Sequence, residues 1–131
     1  MAQTSTNDLA TPYEGLQVIT TTFVDDGATT FLTGPSHGVS VGHAGVGEYV
    51  LTVAQPFRRA TATATLDYSA FDFSGGPPDA ADLGVVTSVA DRTVTVLVYT
   101  PGAPLVAADL AAGQGVSVVI VLDTSSAGLN G

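Results

Sequence analysis

The stretch Arg59-Ala60-Thr61-Ala62-Thr63-Ala64-Thr65-Leu66-Asp67-Tyr68 alternates without a break. Ala60, Ala62, Ala64, Leu66 and Tyr68 fall on one side; Arg59, Thr61, Thr63, Thr65 and Asp67 fall on the other. Period two belongs to an extended strand, whose successive side chains point to opposite faces, whereas a helix would scatter the threonines around its circumference. One face of this strand is meant for a core and the other is polar. The apolar side chains are mostly alanine, so the strand is thin and calls for bulk packed over it. Phe57, Phe71 and Phe73 are the near candidates in sequence.

Similar segments recur on both sides. Leu16 to Val24 is dense in β-branched residues, which favour a pleated surface over a helix. Asp25-Asp26-Gly27 then turns the chain toward a second strand at Thr29 to Thr33. After the break at Gly34-Pro35-Ser36-His37-Gly38, a short strand at Val39 to Val41 pairs with Glu48 to Ala54 across the Gly42 to Gly47 turn. In that partner strand Tyr49, Leu51 and Val53 share one face and Glu48, Val50 and Thr52 the other, and Pro56 ends it. Gly84 to Val89 and Thr93 to Thr100 make a hairpin around Ala90-Asp91-Arg92. Val116 to Leu122 is apolar on both faces, the mark of a central strand. Leu105 to Gly113 is the one segment that reads as a helical turn.

Short strands with turn signals at regular spacing, and no amphipathic helix, specify an all-β domain. The expected architecture is a single antiparallel β-sandwich or Greek-key, jelly-roll-like barrel of about seven or eight strands. Residues 1–12 read as a flexible N-terminal arm, residues 13–124 as the domain and residues 125–131 as a polar tail.

Charge narrows what such a domain does. Only 11% of the 131 residues are charged, against about a quarter in an average soluble domain. Twelve acids face three arginines and no lysine, for a net charge of −9. Such a chain repels nucleic-acid phosphate and anionic lipid, so neither is expected as a partner. The N-terminal segment lacks the basic and apolar regions of a secretory signal, and no apolar run reaches membrane-spanning length. The absence of cysteine removes disulfides, thiolate chemistry and cysteine-based zinc sites.

Residues that could carry chemistry are sparse. His37 and His43 flank the short strand at Val39 to Val41 and would need a third ligand, Asp25 or Asp26, to hold a metal. The pairs Asp67 with Asp72 and Asp79 with Asp82 are the carboxylates available for glycoside hydrolysis, but they sit in or beside a Pro/Gly-rich loop suited to solvated charges. No G-x-S-x-G elbow and no phosphate-binding loop exists. No catalytic, cofactor or metal site is therefore expected, and the chain reads as a non-enzyme. Contact surfaces are the alternative. Leu9 and Tyr13 would anchor the arm, and Arg58 and Arg59, the one basic cluster, would meet carboxylates of a neighbour. Phe57, Phe71 and Phe73 supply aromatic contact, the last two in the long loop from Ala70 to Leu83.

Val41, Gly45, Gly47, Tyr49, Leu51, Thr52 and Val53, followed by Pro56-Phe57, form a glycine-then-tyrosine strand start. The Ala/Thr strand from Ala60 to Leu66, the Val/Thr hairpin at Val94 to Val98 and Asp109-Leu110 ahead of Val116 to Leu122 complete a pattern across Val39 to Asp123. This pattern resembles small all-β virion proteins of tailed bacteriophages: capsid decoration (cement) proteins, head fibres and fibre-tip modules. The resemblance implies a structural protein of the virion, assembled in the host cytoplasm without cofactor or active site. A capsid decoration protein is the leading expectation, a homo-oligomer (a trimer favoured) seated on the major capsid protein or another virion protein. The alternative is a receptor- or glycan-binding module of a head or tail fibre, presenting the Phe71 to Asp82 loop.

Overall fold

A computed structural model describes residues 8–10, 16–33, 38–76, 81–101 and 106–124. Its strands in chain order are β1 (Asp8–Ala10), β2 (Leu16–Asp25), β3 (Thr30–Leu32), β4 (Val39–Gly45), β5 (Glu48–Val53), β6 (Arg59–Asp67), β7 (Asp82–Ser88), β8 (Thr93–Thr100), β9 (Val106–Ala107) and β10 (Gln114–Asp123). A 3-10 turn spans Phe73–Gly75. All pairings are antiparallel and build two sheets. The first runs β1-β2-β10-β6, with β3 also on β2; the second runs β4-β5-β8-β7, with β9 also on β8. The chain is an all-β sandwich.

Period-two patterning explains both the faces and the order. Val116, Val118, Ile120 and Leu122 of β10 are buried, as are Ile19 and Phe23 of β2, and Ala60, Ala62, Ala64 and Leu66 of β6 pack against them. From the second sheet come Val39, Tyr49, Leu51, Val53, Val94, Val96 and Val98. Strand β10 is central between β2 and β6, in register from Val119 to Thr20 on one side and Thr63 on the other. Each large side chain buried here contributes on the order of 1.5–3 kcal/mol, and all of them come from one phase of each strand.

Some segments differ from expectation. The helical turn expected over Leu105 to Gly113 is not found among its described residues, 106–113: Val106–Ala107 pairs with Tyr99 and Thr100 of β8, and the chain then turns into β10. Long-range partners decide this, because the N–H groups of Ala108 and Leu110 bond to the Val98 carbonyl and the Tyr49 hydroxyl rather than to a local turn. Strand β4 runs to Gly45, well past Val41, with a register shift between His43 and Gly45. Phe57 is buried in the core and does supply bulk there, at 2% exposure. Phe71 and Phe73 lie outside that core. Asp8–Ala10, within the expected arm, pairs with Gln17 to Ile19 of β2.

Candidate functional site

Polar groups meet at one end of the sandwich, and the turn ahead of β5 sets their geometry. Gly47 has φ +70°, and a Cβ there would lie 2.5 Å from the Val98 carbonyl oxygen. Only glycine fits so close a backbone approach. The next inward residue is Tyr49, fully buried. On the opposite sheet Ile19, Thr21, Phe23 and Asp25 share the inward phase of β2, which carries the Asp25 carboxylate into the interior at 6% exposure.

The Tyr49 hydroxyl donates to Asp25 Oδ2 at 2.7 Å and accepts from the Leu110 N–H at 3.0 Å. Asp25 Oδ1 accepts from the Gly27 N–H at 2.8 Å. The Tyr49 ring stacks between Phe23, at 5.3 Å, and His43, at 4.7 Å and 5° from parallel. Burial pushes the Tyr49 phenol well above its ordinary pKa, and its hydrogen bond to Asp25 adds to the shift. A second carboxylate sits beside this group. Asp109 Oδ1 accepts from the Gly47 N–H at 2.8 Å and lies 2.8 Å from His43 Nε2. The Gly47 N–H holds Asp109 below the usual carboxylate range; partial burial opposes this and His43 assists it.

Tyr49, Asp25, His43 and Asp109 are the residue types of proton-transfer chemistry; the bonds of buried Tyr49 and Asp25 are spent on the fold, while the side chains of His43 and Asp109 stay 34% and 44% exposed. Tyr49 and Asp25 are closed off from solvent and tie three chain segments together: β5, the end of β2 and the 108–110 segment. His43 engages Asp109 across the same seam rather than Asp25 or Asp26. Among the described residues, no three His, Asp or Glu side chains gather as a cation site. His37 lies outside the described residues. The geometry is that of an inter-sheet lock.

No family model, curated protein or solved structure matches this chain.

The residues expected as contacts fall in separate places. Arg58 and Arg59 both approach Asp123 Oδ2 of their own chain, at 3.4 and 3.6 Å. The Arg59 side chain remains 72% exposed. Such pairs contribute about 0–1 kcal/mol. Phe71 and Phe73 pack edge to face at 4.8 Å, and Tyr68 joins them to form a three-ring cluster just past β6. Phe73 is half exposed. Asp72 caps the 3-10 turn by accepting from the Ser74 N–H, which lowers its pKa, and Asp67 accepts from Ser69. The two acids are thus engaged in local turns rather than poised as a catalytic pair. Leu9 lies opposite Val18 in the β1–β2 register. Tyr13 and Asp79 lie outside the described residues, and Phe57 offers no surface.

Reading from sequence offered Asp25 only as a possible third metal ligand and Asp109 only as part of the wider pattern; it missed their roles beside Tyr49 and Gly47. Asp25 was recoverable: extending the inward phase Ile19, Thr21, Phe23 by one step lands on it. Asp109 had no local signal, because its partners lie 62 and 66 residues away.

Proposed function

We propose that this chain is a structural protein of a phage virion, a capsid decoration protein that stabilises the head by protein–protein contact. One observation carries the reading: a broad sheet face without charge at its centre, on a chain of net charge −9. On the outside of the first sheet, Thr61, Thr63 and Thr65 of β6, Ser117, Val119 and Val121 of β10, and Val18, Thr20 and Thr22 of β2 form three rows of neutral side chains. Val119 and Val121 are exposed at 40% and 37%. Among the described residues the carboxylates nearest this face, Asp67 and Asp123, stand at strand ends, where they keep crowded copies apart without blocking its centre. In this reading the chain is not an enzyme and takes no cofactor. It works by burying surface against the major capsid protein or another virion protein and against its own copies. Binding only the assembled shell stabilises that shell by mass action. Supporting it are the resemblance across Val39 to Asp123 and the commitment of Tyr49, Asp25 and Asp109 to holding the sheets together.

Co-sedimentation tests this directly. Purified chain mixed with heads stripped of it should bind saturably and raise their resistance to heat or chelator. Heads that neither bind it nor gain resistance would remove the decoration role.

A second reading rests on the Tyr68, Phe71 and Phe73 cluster. A half-exposed ring beside others is a stacking platform for a sugar, as a receptor- or glycan-binding fibre module would need. Glycan binding abolished by Phe73→Ala would favour it over decoration.

A further inference from the structure

We infer that the outer face of the first sheet is a self-association face, joining two copies about a twofold axis that runs across the strands through the row Thr63, Val119 and Thr20. This deepens the homo-oligomer part of the reading above and rests on the same neutral face.

Two sheets stacked face to face keep their strands within about 30° of each other. Related by a twofold axis, the strands run either parallel or antiparallel between copies, and the charges decide which. Strand β6 carries Arg59 at one end of its outer phase and Asp67 at the other. Asp123 lies beside Arg59 on β10, in register with it. With the axis along the strands, Asp123 of each copy would face Asp123 of the other at the centre of one end. With the axis across the strands, β6 lies over its own copy in reverse. Arg59 then meets the partner's Asp67, Asp67 meets the partner's Arg59, and Asp123 faces the partner's Gly115. Only this second arrangement is complementary.

Both groups can take the added contact. A guanidinium carries five N–H donors, and Arg59 approaches Asp123 at 3.6 Å with its side chain 72% exposed. Each Asp67 oxygen accepts one bond from Ser69 at 3.1 Å and retains a second lone pair. Between the charged ends the face is neutral: Thr22 and Ser117 already bond each other at 2.9 Å, and the exposed Thr61, Thr63, Thr65, Val119 and Val121 supply small side chains that a second copy can cover. Three strands about 4.8 Å apart and about 30 Å long cover roughly 400 Å² per copy. The pair therefore buries about 800 Å² in total, below the standard size of specific interfaces, so it is a weak association that depends on concentration. Two copies share such a face, in place of the trimer favoured from sequence.

Analytical ultracentrifugation of the purified full chain tests this without any capsid, so its outcome is independent of whether heads bind. Wild type should pass from monomer to dimer as concentration rises. Arg59→Asp and Asp67→Arg should each weaken dimerisation at least tenfold, since each sets like charges opposite one another. An equimolar mixture of the two variants should dimerise again, because both cross-contacts become Asp–Arg pairs, and the double variant R59D/D67R should recover alone. Circular dichroism confirms that each variant is folded. A wild type that stays monomeric up to about 1 mM, or a mixture that associates no better than its components, overturns the proposal.

Discussion

The Tyr49 hydroxyl reaches across the sandwich to the Asp25 carboxylate, 2.7 Å away, and joins a strand of one sheet to the end of a strand of the other. Both residues are buried, Tyr49 fully and Asp25 to 6% exposure. Removing the hydroxyl leaves Asp25 with the Gly27 N–H and leaves the buried Leu110 N–H without its acceptor. Tyr49→Phe should therefore lower unfolding free energy by about 1–3 kcal/mol, the cost of stranding buried polar partners. Urea denaturation should show an earlier midpoint with unchanged far-ultraviolet circular dichroism.

The same bond sets an alkaline limit. Burial and the bond to Asp25 raise the folded-state pKa of Tyr49 above the ordinary value of about 10. The protonated phenol is thus favoured in the folded chain. Its contribution is complete below that ordinary value and is lost as pH climbs through the raised one. Stability should fall with rising pH above about 10, and Tyr49→Phe should reduce that slope. An identical slope in the variant would contradict the lock.

At the acid end the sign reverses. The Gly47 N–H holds Asp109 below the usual carboxylate range. Its contribution is present above the ordinary value of about 3.9 and disappears as pH falls through the lower folded value. Asp26 and Asp72, lowered by the backbone N–H groups of Thr29 and Ser74, act in the same direction. Asp109→Asn should therefore flatten, without abolishing, the loss of stability between about pH 5 and about pH 2. Thermal midpoints across that window provide the measurement.

Gly47 is the tightest point of the seam. An added Cβ would meet the Val98 oxygen at 2.5 Å and the Ala108 nitrogen at 3.0 Å, at a φ of +70°. Gly47→Ala should cost more than about 2 kcal/mol, from strain and displaced backbone together. Gly42→Ala serves as the control, since nothing lies within 4 Å of its Cβ position. A chemical-denaturation series of both variants should separate them clearly.

Strand faces were legible where one face of a strand is uniform. The Ala/Thr alternation of β6 and the Tyr49, Leu51, Val53 phase of β5 each led directly to the observed inward faces, whereas the doubly apolar β10 marked a central strand without showing that Val119 and Val121 face outward. Hairpin partners followed from short turns, as with β7 and β8 around Ala90 to Arg92. Legibility failed where a contact distant in sequence overrules a local preference. Asp109-Leu110-Ala111-Ala112 has helical composition, but Leu110 is captured by Tyr49 and Asp109 by Gly47. The glycines of β4 hid a strand because cross-strand pairing with β5, rather than propensity, keeps them extended. The neutral outer face was present in the sequence as Thr61, Thr63 and Thr65, but its width depends on β10 and β2 lying alongside, which only the topology supplies.

The central claim is that this protein acts through its surfaces as a component of a viral head. Its copy number in purified virions tests that claim most directly, measured as the quantitative mass-spectrometric ratio of this chain to the major capsid protein. A decoration protein predicts a fixed ratio of the same order as the capsid protein itself. A ratio that places only a few copies on each particle, or none, would contradict it.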